Sequence, residues 1–426
     1  MAAVTPYMKK MLDKIGVEMQ VVRVGTFKSA VEPYMLEDMS EANRLQQEHY
    51  LGVIWKEMLD SIATDRKLQY DALNSLCDSV IMTFEATELV QQKLVDKLVY
   101  KNEMENILKA RTKVDKEDDL NYVGPDDLAS SLEDVATGDH IAVVYAVGEI
   151  DGTSSMPSTE EGINSEKLSK TILKLKDDDN VKGMVLRVNS PGGSAFGSEQ
   201  IWKAVQDFKA AGKPVAVSMG DYAASGGYYI SCGADRIFTE RTTITGSIGI
   251  FGVIPSYSEL VENKLGVHMA SVKTNENGDM ASMGKKLTPA QLAAMQNMVN
   301  HGYELFTKRC ADGRHVTQDS IKQIAEGRVW DGITAMQIGL VDEFGGIREA
   351  VAWVANKAKL GKDYKTQNYP ALEDPFQSIL DMYMMSRYET RLQGEMGVLY
   401  DWHKQLQRIL GRDNILCLMP IEEIRF

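Results

Sequence analysis

The chain has 426 residues, of which 44% are hydrophobic and 25% charged. That is the composition of a folded protein, with length for two or three domains. The formal charge of −14 excludes the clustered basic surface on which phosphate affinity depends, so no nucleic-acid partner is expected. No run reaches the ~18 apolar residues of a membrane span, and the first ten residues lack the charged-then-apolar order of a secretory signal. Four cysteines, Cys77, Cys232, Cys310 and Cys417, form no CxxC motif; they read as buried or idle thiols, with no zinc site.

In chain order, the first notable segment is Arg23–Pro33, with Lys28 among small and apolar neighbours. Composition alone makes Lys28 a surface residue, because lysine is rarely buried. Ser40 to Arg66 has helical periodicity behind a good N-cap. Residues 113–119 and 124–127 are charged and turn-rich and read as a linker. Ile141–Val147 is a short apolar run, the mark of a buried strand. A helix is predicted over Glu166–Lys176. A second strand, Val181–Val188, runs into Asn189-Ser-Pro-Gly-Gly193. A helix over Ser198–Ala211 precedes a third strand, Pro214–Ser218, and the segment Gly220-Asp-Tyr-Ala-Ala-Ser-Gly-Gly227. Thr245-Gly-Ser-Ile-Gly249 resembles a third loop at a strand end. Thr288 to Arg314 repeats the capped helical pattern. From Pro375 to Phe426, amphipathic stretches rich in Met and Tyr read as packing. Strands alternating with helices predict an α/β fold with a mostly parallel sheet. Its glycine-rich loops then lie at the carboxyl edge, where such folds place their sites.

The chain also repeats itself. Lys14–Met19 resembles Lys264–Met269 at an offset of 250. Met39-Ser40 and Arg66 match Leu287-Thr288 and Arg314 at 248, and Leu94–Asp96 matches Leu340–Asp342 at 246. Ordered matches with drifting offsets indicate an old duplication. A strand-rich run precedes Lys264 and almost nothing precedes Lys14, so the first copy is expected to lack its front half.

Three motifs can carry chemistry. A serine after a strand, as in Ala-Ala-Ser225-Gly-Gly, can sit at a helix start beside free backbone N–H groups that would hold an oxyanion. It can equally be a capping serine. Asn189–Gly193 suits a carbonyl oxygen or an anion, and as well a Pro-introduced turn. Thr245–Gly249 can be a simple bend. A nucleophilic serine needs a base. None of the six histidines, His49, His140, His268, His301, His315 and His403, lies in a glycine-rich loop. A buried lysine is the other option.

Taken together, Ser190–Ser194, Gly220–Tyr229, Thr245–Gly249 and Arg23–Tyr34 resemble the signal peptide peptidase A family, peptidase family S49, in its long duplicated form. The resemblance covers nearly the whole chain. It implies tandem ClpP/crotonase-like domains and a Ser–Lys dyad, with Ser225 as nucleophile and Lys28 as general base. By the same resemblance Ser247 orients the lysine, and Gly193 and Gly226 donate the oxyanion-hole N–H groups. The position 250 beyond Lys28 is Gly278, so the first copy would supply the base and the second the serine. The implied activity is cleavage of released signal peptides and other exposed apolar chains, without metal or cofactor. The implied setting is a homotetramer on the bacterial inner membrane, facing the periplasm. The expected organisation is 1–110 for the rest of the first copy, 111–137 for a linker, 138–350 for the complete second copy and 351–426 for a helical tail. The rival readings are an inactive fragment of such a protease and a crotonase-like acyl-CoA enzyme.

Overall fold

The computed structural model describes residues 1–115, 117–125, 127–128, 138–152, 162–280, 284–362, 364–370 and 415–418. The chain forms two compact units, one of Met1–Ile54 with Ala136–Phe426 and one of Trp55–Val135. The division falls inside the helix Glu41–Arg66.

The larger unit is mixed α/β. Its main sheet runs, in spatial order, Val329–Asp331, Ile244–Gly246, Val215–Ala224, Val181–Ser190, His140–Val147 and Lys365–Tyr369. Every neighbouring pair is parallel except the first. Parallel strands are covered on both faces, which is why they read as continuous apolar runs. Along His140–Val147 the side chains alternate. Ala142 and Val144 join a core with Ile172 and Val205 of the helices Ser165–Asp177 and Ala195–Ala210. Ile141 and Val143 face Val351 and Val354 of the helix Ile347–Lys357.

The tail expected to be helical over 351–426 instead contributes the strands Lys365–Tyr369 and Ile415–Leu418, because the first pairs with His140–Val147; up to Arg314 the expected strands and helices are present, with one informative difference. The third strand continues past Ser218 to Ala224, through the segment read as a loop. Tyr222–Ala224 pair with Ile244–Gly246, and Ala223 meets Ser190 after a register shift. Gly220 permits this because a Cβ there would lie 2.9 Å from the Asn189 side chain.

The duplication is written in hydrogen bonds as well as in letters. Glu41–Arg66 and Pro289–Arg314 are both 26 residues long. Ser40 Oγ accepts from the Asn43 N–H at 3.1 Å, and Thr288 Oγ1 from the Gln291 N–H at 3.3 Å. Each helix is followed by a left-handed residue, Lys67 and His315, both with φ 55°. Arg66 Nε donates to the Lys93 carbonyl at 2.6 Å, and its guanidinium pairs with Asp96 at 3.1 Å. Arg314 Nε donates to the Gly339 carbonyl at 3.0 Å, and its guanidinium forks onto Asp342 at 2.5 and 3.0 Å.

The smaller unit is helical, with Tyr70–Asp78, Ala86–Gln91 and Lys101–Thr112 and a small core around Leu59, Ala63 and Leu73. From Lys113 to Gly124 the described residues form neither helix nor strand. Cys232 and Cys310 are buried and Cys77 is half-buried, and none of the three forms a disulfide. The amphipathic tail read over Pro375–Phe426 lies outside the described residues, apart from the strand Ile415–Leu418. No described helix is long and apolar enough to cross a membrane.

Candidate active site

Two neighbouring parallel strands, Val215–Ala224 and Ile244–Gly246, end on Ser225 and Ser247. Both serines have positive φ, 55° and 51°, a region that costs a non-glycine residue about 1–3 kcal/mol. The surroundings hold both bends. The Ser225 N–H donates to the Gly246 carbonyl at 2.8 Å, and the Ser225 carbonyl accepts from the Tyr229 N–H at 2.8 Å, opening the helix Gly226–Ser231. The Ser247 N–H donates to the Arg328 carbonyl at 2.7 Å. Gly227 is required for fit, since a Cβ would stand 2.6 Å from the Ser190 carbonyl oxygen.

Lys28 meets both serines. Its Nζ lies 2.7 Å from Ser225 Oγ and donates to the Ser247 carbonyl and to Ser247 Oγ, both at 3.0 Å. Ser247 Oγ in turn donates to the Gly327 carbonyl at 3.3 Å. Lys28, Ser225 and Ser247 are each 0% exposed, and the Phe251 ring centroid is 6.0 Å from the amine. The surface lysine expected from composition is therefore a core residue. Its burial follows from contacts far off in sequence. The Phe27 N–H donates to the Glu326 carbonyl at 2.9 Å, and Thr26 Oγ1 donates to the Glu326 carboxylate at 2.8 Å. Gln46 clamps the loop from the helix side. Its amide donates to the Phe27 carbonyl and accepts from the Val329 N–H, both at 3.1 Å. Gly327, with φ 75°, lets the lysine backbone pass, because a Cβ there would be 2.6 Å from the Lys28 Cβ.

Gly193 sits in the short strand Gly192–Ser194, paired with Ile150. Its φ of 148° and the Ile150 carbonyl against its α-carbon leave no room for a side chain. Gly226 is the first residue of the helix behind Ser225. The fold thus brings together Lys28, Ser225 and Ser247 by direct contact and sets Gly226 beside Ser225 in the chain.

Among the described residues no histidine hydrogen-bonds to Ser225. His49 instead meets Asp331 and Thr334, each at 3.2 Å, and His140 bonds the Gly138 carbonyl at 2.8 Å. Sequence reasoning missed Gln46, Glu326 and Gly327. Gly327 in Ala-Glu-Gly-Arg carried the one legible signal, a glycine before the strand Val329–Asp331. No group of three or more metal-ligating side chains occurs among the described residues.

The chain matches peptidase family S49 over residues 1–115 and 207–361. It is 39% identical over 390 residues to Protease 4 of Salmonella typhi, covering 89% of this chain and 61% of that one. It is 36% identical over 360 residues to Protease 4 of Haemophilus influenzae, covering 83% of this chain and 58% of that one. The chain therefore spans about three fifths of the length of these curated relatives. ClpP1 from Listeria monocytogenes aligns in structure at a TM-score of 0.31 and 17% identity, over 49% of this chain and 94% of that one. The two matched segments cover more than half of the sequence, and they contain Lys28, Ser225 and Ser247: the chain belongs to peptidase family S49.

Proposed function

We propose that this protein is a serine endopeptidase working through a Ser225–Lys28 dyad on exposed, apolar peptides, released signal peptides among them. The observation that carries the reading is the 2.7 Å contact between Lys28 Nζ and Ser225 Oγ inside a fully buried site.

A lysine acts as a base only without its extra proton, and burial favours that form. A neutral amine has two N–H bonds and one lone pair. Ser247 offers two acceptors, its carbonyl and its Oγ, each at 3.0 Å. The Oγ hydrogen is turned to the Gly327 carbonyl, which leaves an oxygen lone pair for the amine. With both amine hydrogens taken, the nitrogen lone pair faces the Ser225 hydroxyl. Lys28 takes that proton as Ser225 Oγ bonds to the peptide carbonyl carbon. The N–H groups of Gly193 and Gly226 stabilise the oxyanion. The protonated lysine then gives its proton to the leaving amine, and water hydrolyses the acyl-enzyme.

The reading includes a division of labour between copies, with 1–110 supplying the base and 138–350 the serine. It also includes a membrane-associated, periplasm-facing homotetramer, on the strength of family resemblance. Ser225→Ala and Lys28→Met should each lower kcat/KM on an apolar reporter peptide by about 10⁴-fold or more, the scale on which loss of a catalytic-triad member acts in other serine proteases. Circular dichroism should show the fold retained. Activity within a few-fold of the parent in either variant overturns the dyad.

A further inference from the structure

The second sheet of the larger unit has a strand from far along the chain at its centre. In spatial order it runs Glu18–Val24, Ile250–Ser256, Ile415–Leu418, Gly192–Ser194, Glu149–Gly152 and Gly162–Asn164. Ile415–Leu418 is antiparallel to both neighbours. On one side Leu416, Cys417 and Leu418 stand opposite Ser194, Gly193 and Gly192. On the other, Leu416 and Ile415 stand opposite Phe251 and Gly252.

These two edges border the dyad. Gly193 is the residue whose N–H is assigned above to the oxyanion, and Phe251 is the ring beside the Lys28 amine. Neighbouring strands lie ~4.8 Å apart, so edges that share one inserted strand are held ~9.6 Å apart, the width of a single extended peptide. A slot with an open strand edge on each side binds an extended segment through main-chain hydrogen bonds on both flanks. The occupant, Ile-Leu-Cys-Leu, is uncharged and apolar, the chemistry the proposed substrates share.

We infer that Ile415–Leu418 is an intramolecular occupant of the substrate slot, so that a peptide must displace the chain's own strand before it can reach Ser225. The inference rests on the peptidase reading for the identity of the slot, though not for its occupancy. Tethering makes the competition severe, because a linked segment acts at an effective concentration in the millimolar range. A free peptide at micromolar concentration then loses to it unless it binds far more tightly.

The test uses the full-length chain with Leu416→Pro and Cys417→Pro together, since proline cannot donate to a ladder. Amide exchange is followed at Gly192–Ser194 and Phe251–Gly252. Binding of a fluorescent alanine–leucine heptapeptide is measured by anisotropy in the Ser225→Ala background, where no turnover occurs. The proline pair should speed exchange at both edges and tighten heptapeptide binding at least 10-fold. Adding the peptide acetyl-Ile-Leu-Cys-Leu-amide in excess should restore the protection. Unchanged exchange and unchanged binding overturn the proposal. So does faster exchange without tighter binding, which would make the strand a structural element only. Should the proline pair disturb the fold, Leu416→Asp with Leu418→Asp is the substitute and the same readouts decide. Hydrolysis of the heptapeptide by the parent serine enzyme is scored separately. Tighter binding with no hydrolysis keeps the occupancy and sinks the peptidase, while hydrolysis with unchanged binding does the reverse.

Discussion

Ser247 meets the lysine at its amine and Gly327 at its backbone. Ser247 presents two oxygens to one amine, its carbonyl and its Oγ, each at 3.0 Å. Ser247→Ala removes one of the two Ser247 acceptors and leaves the carbonyl, so the amine is less firmly oriented. Acting as a positioning residue, it should lower kcat on a reporter peptide by about 10²-fold with KM unchanged, the scale of a misaligned proton transfer. A comparable rise in KM would argue instead for a role in substrate binding. Gly327→Ala asks for a left-handed alanine, at about 1–2 kcal/mol, and drives a methyl into the Lys28 backbone. Urea titration should find a modest loss of stability, and kinetics a loss of kcat of about 10²-fold, because displacement near 1 Å has that effect. Ser225 was legible in the sequence as one of two readings, since it follows a strand and is flanked by small residues, whereas Ser247 stood out only through the family resemblance. Lys28 was not legible as a buried group. Everything that buries it comes from elsewhere: Gln46 is 18 residues on, and Glu326 and Gly327 are close to 300 residues on. A local window around Lys28 holds no record of them.

The two long helices have the same length and cap but different duties. In Glu41–Arg66, Gln46 reaches the lysine loop and the strand Val329–Asp331. Gln46→Leu keeps the volume and strands the Val329 N–H without its acceptor, at a cost of about 1–3 kcal/mol. It should also reduce kcat, since the loop it clamps carries Lys28, the base in the proposed dyad. In Pro289–Arg314, Thr288 caps the first turn and exchanges hydrogen bonds with Gln291. Thr288→Ala should cost about 1 kcal/mol and leave kcat as it is. Thermal melts paired with steady-state kinetics separate the two cases. Helix ends were readable because capping is local chemistry. The extent of the strand Val215–Ala224 was not, because its last three residues are ordered by partners at Ile244–Gly246.

At the scale of the molecule, the duplication keeps one arginine–aspartate bond in two settings. The Arg314 side chain is 9% exposed and its partner Asp342 21%, whereas Arg66 is 26% exposed and Asp96 87%. Breaking a largely buried pair strands a charge, at about 3–5 kcal/mol, while a solvent-washed pair yields less than about 1 kcal/mol. Arg314→Ala should therefore shift the urea midpoint strongly and Arg66→Ala hardly at all. Equal shifts would mean that burial does not set the difference. The offsets in the sequence pointed to this pair of sites, but only burial ranks them.

The span of the lysine loop has a further consequence, in the order of synthesis. Thr26 is fastened to Glu326, 300 residues later. A growing chain therefore exposes Lys28 early and cannot seat it until Glu326 and Gly327 have been made. Contacts of such separation form late, because the entropy of closing the loop is lost before any of its contacts is gained. The contact between Lys28 and Ser225 is thus expected late in folding, and a half-made chain carries Lys28 without Ser225. On the dyad proposed above, the same topology withholds the reactive serine until Lys28 is seated.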